Sequence, residues 1–225
     1  MSEAARADVP EQLQAGIGER IRQARVAKGI SARAFARSLG VSPSLISQIE
    51  LGKALPSVGT LFAVVTKLGI SLDDIFFDAA GEDVPAGSLA AGRAADAGGT
   101  APAGSLVQRA GERRSISLAN GVRWERLTPD HDYEVDFLCV TYDVGAESCP
   151  EDALMTHSGK EYGLVLEGQL GATIGFKSFE LAPGDSITYD AVVPHRFWTI
   201  GDEPSVVTWT IVGRQGDSRF LPQSR

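Results

Sequence analysis

The 225-residue chain has few cysteines, no long apolar run and no overall excess of positive charge. Of its two cysteines, we expect Cys139 to be a small core residue and Cys149 to lie in a loop. A disulfide or redox pair between them is the less favoured alternative. No run approaches the roughly 18 apolar residues of a membrane span, and the first residues carry no apolar signal region. We therefore expect a cytoplasmic protein with no membrane partner.

A stretch with almost no large apolar side chains divides the chain. Residues 79–104 contain ten Ala, six Gly and two Pro in 26 positions, and only Val84 and Leu89 are large and apolar. Such a segment cannot bury enough surface to offset its ordering entropy, so we predict a flexible linker. We also predict that residues 1–15 are disordered. The remaining segments, 16–78 and 105–225, are long enough for two separate domains.

Residues 30–53 predict two short helices around a glycine turn. The first helix covers residues 32–38, and Gly40 supplies the positive φ that ends it. Ser42 can cap the second helix, and Pro43 suits the first helical position because the missing N–H costs nothing there.

The second of these helices has one apolar and one polar face. Its inward stripe consists of Leu45, Ile46 and Ile49. Ser44, Ser47 and Gln48 are left on the outward face, where short polar side chains can read base edges in the major groove of DNA. The alternative is a two-helix packing unit with a merely solvated polar face.

This pattern resembles the helix-turn-helix of the XRE family, which includes the lambda-repressor and Cro-like DNA-binding domains. The matching positions are Ala36, Gly40, Val41, Ile46, Ile49, Glu50 and Gly52. The resemblance implies an all-α domain of five helices, with Arg25 of helix 1 paired to Glu50. The apolar residues Leu61, Val64, Val65 and Leu68 would form helix 4, and Leu72, Ile75 and Phe76 would close the bundle. The family often carries a phosphate-binding Gln where this chain has Ala32, so Arg33 or Arg37 would have to substitute.

Positive charge is concentrated around this motif. Residues 19–56 contain seven Lys or Arg and two Glu, a net +5, in a chain of net charge −8. This contrast favours DNA binding at the motif alone, over a basic face that is only solvated. We expect base readout by Ser44, Ser47 and Gln48, with Ser42 and Pro43 at the helix tip. We expect phosphate contacts from Arg33, Arg37 and Lys53.

Beyond residue 105 the apolar period changes from 3.6 to 2. The clearest strands are predicted at residues 122–127, 136–142, 162–166, 171–175, 186–189 and 206–212. Many short strands separated by turn residues favour an all-β sandwich or barrel. Tyr142, Tyr162, Phe197 and Trp209 are candidates for its inward face, although Tyr162 and Trp198 could equally line an interface.

Two motifs in this region resemble those of the cupin fold, a double-stranded β-helix or jelly roll. The first is Met155-Thr-His157-Ser-Gly-Lys-Glu161, followed by Gly168, and the second runs from Pro183-Gly184-Asp185 to His195. The resemblance covers about residues 121–213. In cupins these motifs supply three His and one Glu, which bind a divalent metal.

The resemblance leaves three ligand positions here, His157, Glu161 and His195, with Met155 at the fourth. Two His and one carboxylate can hold Fe, and Zn or Mn are also candidates, whereas a thioether is a poor ligand for these ions. Three readings stay open: a weakened metal site, a metal-free contact to an organic effector, or a self-satisfied polar cluster.

The whole chain resembles the bacterial XRE-cupin regulators. The resemblance implies a sequence-specific transcriptional regulator, which we expect to be a repressor, with double-stranded operator DNA as its partner. The cupin would sense a small molecule, mediate homodimer formation, or both. The alternative is a metal-dependent cupin enzyme of the dioxygenase or isomerase type that carries a DNA-binding module. A cupin that serves only for dimerisation is a third option.

Overall fold

The computed structural model describes residues 11–76, 106–132 and 134–213. Contacts divide the chain into two compact units, Met1–Leu55 and Pro56–Arg225. The predicted linker at residues 79–104 lies outside the described residues. Within the described residues, no helix is long and apolar enough to cross a membrane.

The first unit contains three helices, α1 (Glu11–Ala27), α2 (Ala32–Leu39) and α3 (Pro43–Glu50). Since α1 begins at Glu11, residues 11–15 are helical and do not belong to the disordered N-terminus that the sequence predicts. Gly18 allows α1 to pack closely on α3, because a Cβ at this position would lie 2.1 Å from the carbonyl oxygen of Ile49.

The turn between α2 and α3 has the predicted chemistry. Gly40 takes a left-handed conformation with φ 71° and ends α2. The Ser42 hydroxyl accepts a hydrogen bond from the Leu45 N–H at 3.1 Å, and Pro43 occupies the first helical position. These features orient α3 and confirm the helix-turn-helix pattern.

The described part of the second unit contains two more α-helices, α4 (Val58–Leu68) and α5 (Asp73–Phe76), and nine strands. The strands are β1 (Ser115–Leu118), β2 (Val122–Arg126), β3 (Val135–Tyr142), β4 (Lys160–Glu167), β5 (Gln169–Ile174), β6 (Lys177–Leu181), β7 (Ser186–Asp190), β8 (His195–Ile200) and β9 (Ser205–Val212). They form a six-stranded antiparallel sheet in the order β1-β2-β3-β9-β4-β7 and a three-stranded sheet in the order β6-β5-β8. This is the all-β cupin architecture that the motifs predict.

The inner face of the large sheet carries the core of this unit. Trp124, Leu138, Val140, Val165, Val207 and Trp209 are all buried on it. Gly163 of β4 makes room for Trp209 of β9, because a Cβ there would lie 2.6 Å from the indole ring. Strands β1, β6 and β8 are not among those predicted most clearly; β6, for example, exposes four of its five residues and lacks the alternation. Both cysteines are free, so they do not form the alternative disulfide.

Helices α4 and α5 contact the β-strands of this unit. The side chains of Val58, Leu61, Phe62, Val64, Val65 and Leu68 are all buried, so α4 is apolar on more than one face. The Phe62 ring lies 5.5 Å from that of Trp124 on β2. Asp73 of α5 forms a fully buried ion pair with Arg126, with Nη2 and Oδ1 2.8 Å apart. The sequence predicts both helices but not these contacts to the strands.

Candidate functional site

The outward surface of α3 presents the residues expected to contact DNA. Ser44, Ser47 and Gln48 are exposed, whereas Ile46 and Ile49 on the opposite face are buried. The other predicted contact residues, Arg33, Arg37, Ser42, Pro43 and Lys53, are also exposed. The first unit therefore has a polar and basic surface around one helix whose side chains are free to meet a ligand.

The C-terminal end of α3 is held to α1 by the predicted partners Arg25 and Glu50. The guanidinium contacts both carboxylate oxygens, at 2.5 Å from Nε and 2.7 Å from Nη2, and both side chains are buried. The remaining Nη1 donates to the Ile30 carbonyl at 2.6 Å. Hydrogen bonding to Glu50 raises the pKa of Arg25, so the pair stays ionised and fixes the orientation of α3.

The second site lies among the strands of the second unit, called the β-unit below, where His157, Glu161 and His195 converge. Their ligand atoms all lie within 4.8 Å of one another, and all three side chains are buried. His157 Nε2 is 2.7 Å and His195 Nε2 4.0 Å from the same oxygen, Glu161 Oε1. Sequence positions 38 residues apart thus meet around one small space.

Backbone carbonyls determine which ring nitrogen faces this space. His157 Nδ1 lies 3.0 Å from the Ser158 carbonyl and His195 Nδ1 2.9 Å from the Val193 carbonyl. A carbonyl oxygen only accepts, so each Nδ1 carries the proton and a neutral ring keeps its lone pair on Nε2. Burial lowers the pKa of His195, which favours this neutral form.

The carboxylate of Glu161 is oriented by Tyr189. The tyrosine hydroxyl donates a hydrogen bond to Glu161 Oε2, leaving Oε1 directed at the two histidines. Burial raises the pKa of Tyr189, so the hydroxyl keeps the proton that it donates. Strand pairing produces this contact, since Glu161 of β4 and Tyr189 of β7 are partners in the antiparallel register.

This donor set fits a divalent metal ion. Within the described residues neither Nε2 has a hydrogen-bond partner, although His157 Nε2 lies close to a carboxylate oxygen. Two atoms that both carry lone pairs approach to 2.7 Å only with a shared proton or a cation between them. Two imidazole nitrogens and one carboxylate oxygen, on side chains each held by a second hydrogen bond, form the ligand set that Fe, Zn and Mn accept. Met155, at the predicted fourth position, lines a small cavity beside Glu161 and offers only a thioether.

A small, mostly apolar cavity adjoins the site at Glu161, which is the one member of the three ligand residues that lines it. Its volume is about 20 Å³, enough for a single water-sized group. Tyr142, Phe197 and Trp209 line it with Glu161, as their predicted inward orientation requires. Tyr162 does not line the cavity, because it is 46% exposed on the outer face of β4. From Lys160 to Leu166, strand β4 buries its odd-numbered residues and exposes its even-numbered ones.

Sequence reasoning missed two residues of the site. Tyr189 falls within a predicted strand, but its pairing with Glu161 depends on a register that the sequence does not reveal. Phe62 stacks on the His157 ring, with centroids 3.9 Å apart and an interplanar angle of 15°. The sequence does contain an indication that Phe62 is buried. This large apolar residue lies outside the stripe of Leu61, Val64, Val65 and Leu68, which predicts a second buried face on α4.

Comparison with known proteins defines the two parts of the chain. Residues 21–75 match the helix-turn-helix family, and residues 138–211 match the cupin domain family. In a solved structure, the HTH_3 family transcriptional regulator from Vibrio cholerae has the same fold, with a TM-score of 0.62 and 19% identity over 91% of this chain and 99% of that one. The class is thus a DNA-binding helix-turn-helix domain joined to a cupin.

Two curated relatives identify the family. The HTH-type transcriptional regulator PuuR of Escherichia coli (strain K12) is 26% identical over 180 residues, which cover 80% of this chain and 85% of that protein. The uncharacterized HTH-type transcriptional regulator YazB of Bacillus subtilis (strain 168) is 40% identical over 58 residues, 26% of this chain and 84% of YazB. The chain belongs to the XRE-type helix-turn-helix transcriptional regulators and carries a C-terminal cupin domain.

Proposed function

We propose that this regulator is a repressor whose affinity for a double-stranded DNA operator depends on what occupies the His157, Glu161 and His195 site. The observation that carries the proposal is the convergence of two imidazole nitrogens and one carboxylate oxygen from His157, Glu161 and His195, which are all buried and lie within 4.8 Å of one another. Among the described residues, the two Nε2 atoms have no hydrogen-bond partner, and a buried polar atom without a partner is costly because it has lost its hydration. Acting on DNA, the protein would work in the cytoplasm.

The surface of α3 is proposed as the element that reads the operator. Gln48 can form two hydrogen bonds with adenine, and Ser44 and Ser47 can contact either kind of base pair. Arg33, Arg37 and Lys53 are proposed to contact phosphates, which sets affinity without reading sequence. All six side chains are exposed on the same unit, which supports these roles.

A divalent ion is the occupant that the site favours. A single ion can lie between ligand atoms that are all within 4.8 Å of one another. The ligand atoms are two imidazole nitrogens and one carboxylate oxygen, with Ser158, Val193 and Tyr189 holding them from outside. Iron, zinc or manganese suits these ligands, and the ion would supply a fixed positive charge between the three side chains.

Homodimer formation is proposed through the outer face of the large sheet. Tyr162, Leu164 and Leu166 of β4 are each at least 40% exposed there, and Phe137 of β3 is 38% exposed. Several large apolar side chains exposed on one face are typical of protein interfaces. A second copy is the occupant we propose, because a symmetric pair of reading helices matches two half-sites about one helical turn apart.

An enzyme of the dioxygenase or isomerase type is the second candidate. It is favoured by the two-histidine, one-carboxylate set, which also occurs in non-haem iron oxygenases. A substrate pocket normally has about 300–1,000 Å³, far more than the cavity beside Glu161. The regulatory role is therefore preferred, in keeping with the names of the relatives.

Metal analysis of three proteins tests the occupant. Elemental analysis should find about one equivalent of Fe, Zn or Mn in the wild type and in His131→Ala, and almost none in His157→Ala. His131 is the matched control because it is exposed and is the third of only three histidines. Metal-free wild type that also fails to bind these ions on titration would contradict the metal proposal.

Operator binding tests whether the occupant is a signal. Duplexes selected from a random library on the wild type would be titrated with metal-loaded and chelator-treated protein. We expect the two affinities to differ by about fivefold or more, since a regulatory ligand must favour one state of the protein. Equal affinities with a fully loaded site would make the site structural and contradict the sensor function.

A further inference from the structure

Helix α4 is the wall of the cupin cavity on one side, and it also belongs to the segment that matches the helix-turn-helix family. Val58 and Phe62 of α4 line the cavity together with residues of β2, β3, β4, β8 and β9. Phe62 is 3% exposed and covers the His157 ring. The match to the helix-turn-helix family runs to residue 75 and so includes all of α4.

We propose that α4 is a lid over the cavity, and that an organic effector enters only when Phe62 leaves His157 and α4 is displaced. This inference rests on the proposed sensing role of the same site and adds the element that moves. The remaining cavity, about 20 Å³, holds a metal ion or one water, whereas organic ligands need roughly 300 Å³ or more. An organic molecule therefore cannot bind the closed arrangement, which gives it the differential affinity that a switch requires.

The contacts of α4 suit a movable element. Its first turn is joined to a neighbouring loop by the hydrogen bond from Gly59 N–H to the Ser148 carbonyl at 3.4 Å, and Pro56, just before the helix, accepts one from Ala119 N–H at 2.9 Å. The other contacts of its cavity face are apolar ring contacts, which carry no fixed directionality. Displacing α4 therefore breaks few directional bonds, and its main cost is exposure of the apolar side chains that the helix buries.

Helix α5, in contrast, is anchored. Asp73 and Arg126 are both completely buried, and Asp73 also accepts the Asp132 N–H at 2.7 Å. Exposing either charge alone in an apolar interior would be costly. Gly69, with φ 58°, ends α4 and lies between the movable and the anchored helix, so displacement can be confined to α4.

Displacement of α4 would be transmitted along the chain to α3, the helix proposed to read the operator. Only seven residues separate Glu50, the end of α3, from Val58, the start of α4, and Pro56 restricts one of them. A short connection of this kind transmits a movement that the distant linker at residues 79–104 would absorb.

A disulfide between α4 and the loop that contains Cys149 would hold the lid closed. A Cβ built on Gly59 would lie 3.8 Å from the Cβ of Cys149, within the roughly 3.5–4.5 Å of disulfides. Gly59→Cys in a Cys139→Ala background should therefore form a reversible bond between α4 and the cupin. Gly59→Ser in the same background is the matched control, since it fills the position without a crosslink.

Displacement of Phe62 from the His157 ring would be measured with diethylpyrocarbonate, which modifies the free nitrogen of neutral imidazole and is much larger than water. Mass spectrometry would follow His157 and His195, with exposed His131 as the internal standard. We expect oxidised Gly59→Cys to be modified at the two buried histidines at least about tenfold more slowly than Gly59→Ser, and reduction to restore the rate. Adding a selected DNA duplex to unlocked protein should change that rate by about fivefold or more, because coupling is reciprocal.

Three results would overturn the proposal. Equal modification rates in locked and unlocked protein would mean that the reagent enters elsewhere. Absence of modification at His157 and His195 in the unlocked protein would mean that α4 does not open. An unchanged rate with DNA would mean that the lid and the reading helix are independent. The assay uses chelator-treated protein, because a metal bound at Nε2 would itself block the reagent. The lid can then fail while the proposed sensing site stands, and the metal analysis can fail while the lid stands.

Discussion

Replacement of Arg126 by methionine tests how α5 is anchored to the β-unit. The guanidinium is fully buried, with Nη2 2.8 Å from Asp73 Oδ1 and Nη1 3.5 Å from Asp136 Oδ1. Nη2 also lies 3.4 Å from the carbonyl oxygens of Asp132 and Val135. Methionine has a similar length but no charge, so Arg126→Met leaves two carboxylates in the interior without their cation.

The expected cost follows from the burial of the partners. Removing one member of a buried ion pair typically destabilises a protein by about 3–5 kcal/mol, because the remaining charge loses both water and partner. The double variant Arg126→Met with Asp73→Asn should be destabilised less than the single variant, since it removes both members of the closest pair. Arg123→Met on the same strand is the control: its bond to Glu125 is half-exposed, and its loss should cost about 0–1 kcal/mol.

Urea unfolding of the full chain, followed by tryptophan fluorescence, measures these differences. All three tryptophans, Trp124, Trp198 and Trp209, lie in the Pro56–Arg225 unit, so the signal reports on the unit that contains Arg126. If Arg126→Met lowered the free energy of unfolding by less than about 1 kcal/mol, the reasoning would be refuted, because the buried ion pair would then contribute no more than an exposed one. A double variant less stable than the single variant would refute it as well.

Three further predictions concern DNA, pH and assembly. Gln48→Ala should weaken specific DNA binding by about 1–3 kcal/mol and relax the preference at one base position. Arg37→Ala should weaken binding to all sequences and reduce the salt dependence of binding. If both variants lost the same affinity for random DNA, the proposed division between base and phosphate contacts would be contradicted. Burial raises the pKa of Asp73 from its ordinary 3.8 to about 7, so its contribution to folding is fully present below about pH 4 and is lost as the pH rises through about 7. Asp73→Asn should therefore gain stability relative to the wild type over that range in urea unfolding, and a difference that is constant or falls with pH would show that Asp73 is not the titrating group. Leu164→Glu should convert the dimer to monomers, as measured by light scattering, whereas Thr173→Glu on the small sheet should leave it a dimer. If Leu164→Glu remained a dimer, the interface would lie elsewhere.

Local sequence signals were sufficient for the elements that depend on neighbouring residues. The turn at Gly40, the cap at Ser42 and the proline at position 43 each have a conformational cause within a few residues, and the structure has all three. The strand pattern predicted most of the sheet for the same reason, because alternation of apolar and polar residues reflects two faces. Where alternation fails, as in the exposed strand β6, the prediction also failed.

The outward orientation of Tyr162 shows the limit of such signals. A strand with a conspicuous aromatic residue gives no indication of which face is buried until its register is known, since a shift of one residue exchanges the faces. In β4 the register places Glu161 inward and Tyr162 outward.

The sequence by itself determined the class of each domain, the polar surface of α3 and the identity of His157, Glu161 and His195, because these depend on spacing along the chain. Only the tertiary structure decided that Tyr189 orients Glu161, that Arg126 anchors Asp73, and that Phe62 of α4 covers His157. Each of these contacts joins residues from 28 to 95 positions apart, and no periodicity within a helix or strand encodes which distant surface it will meet.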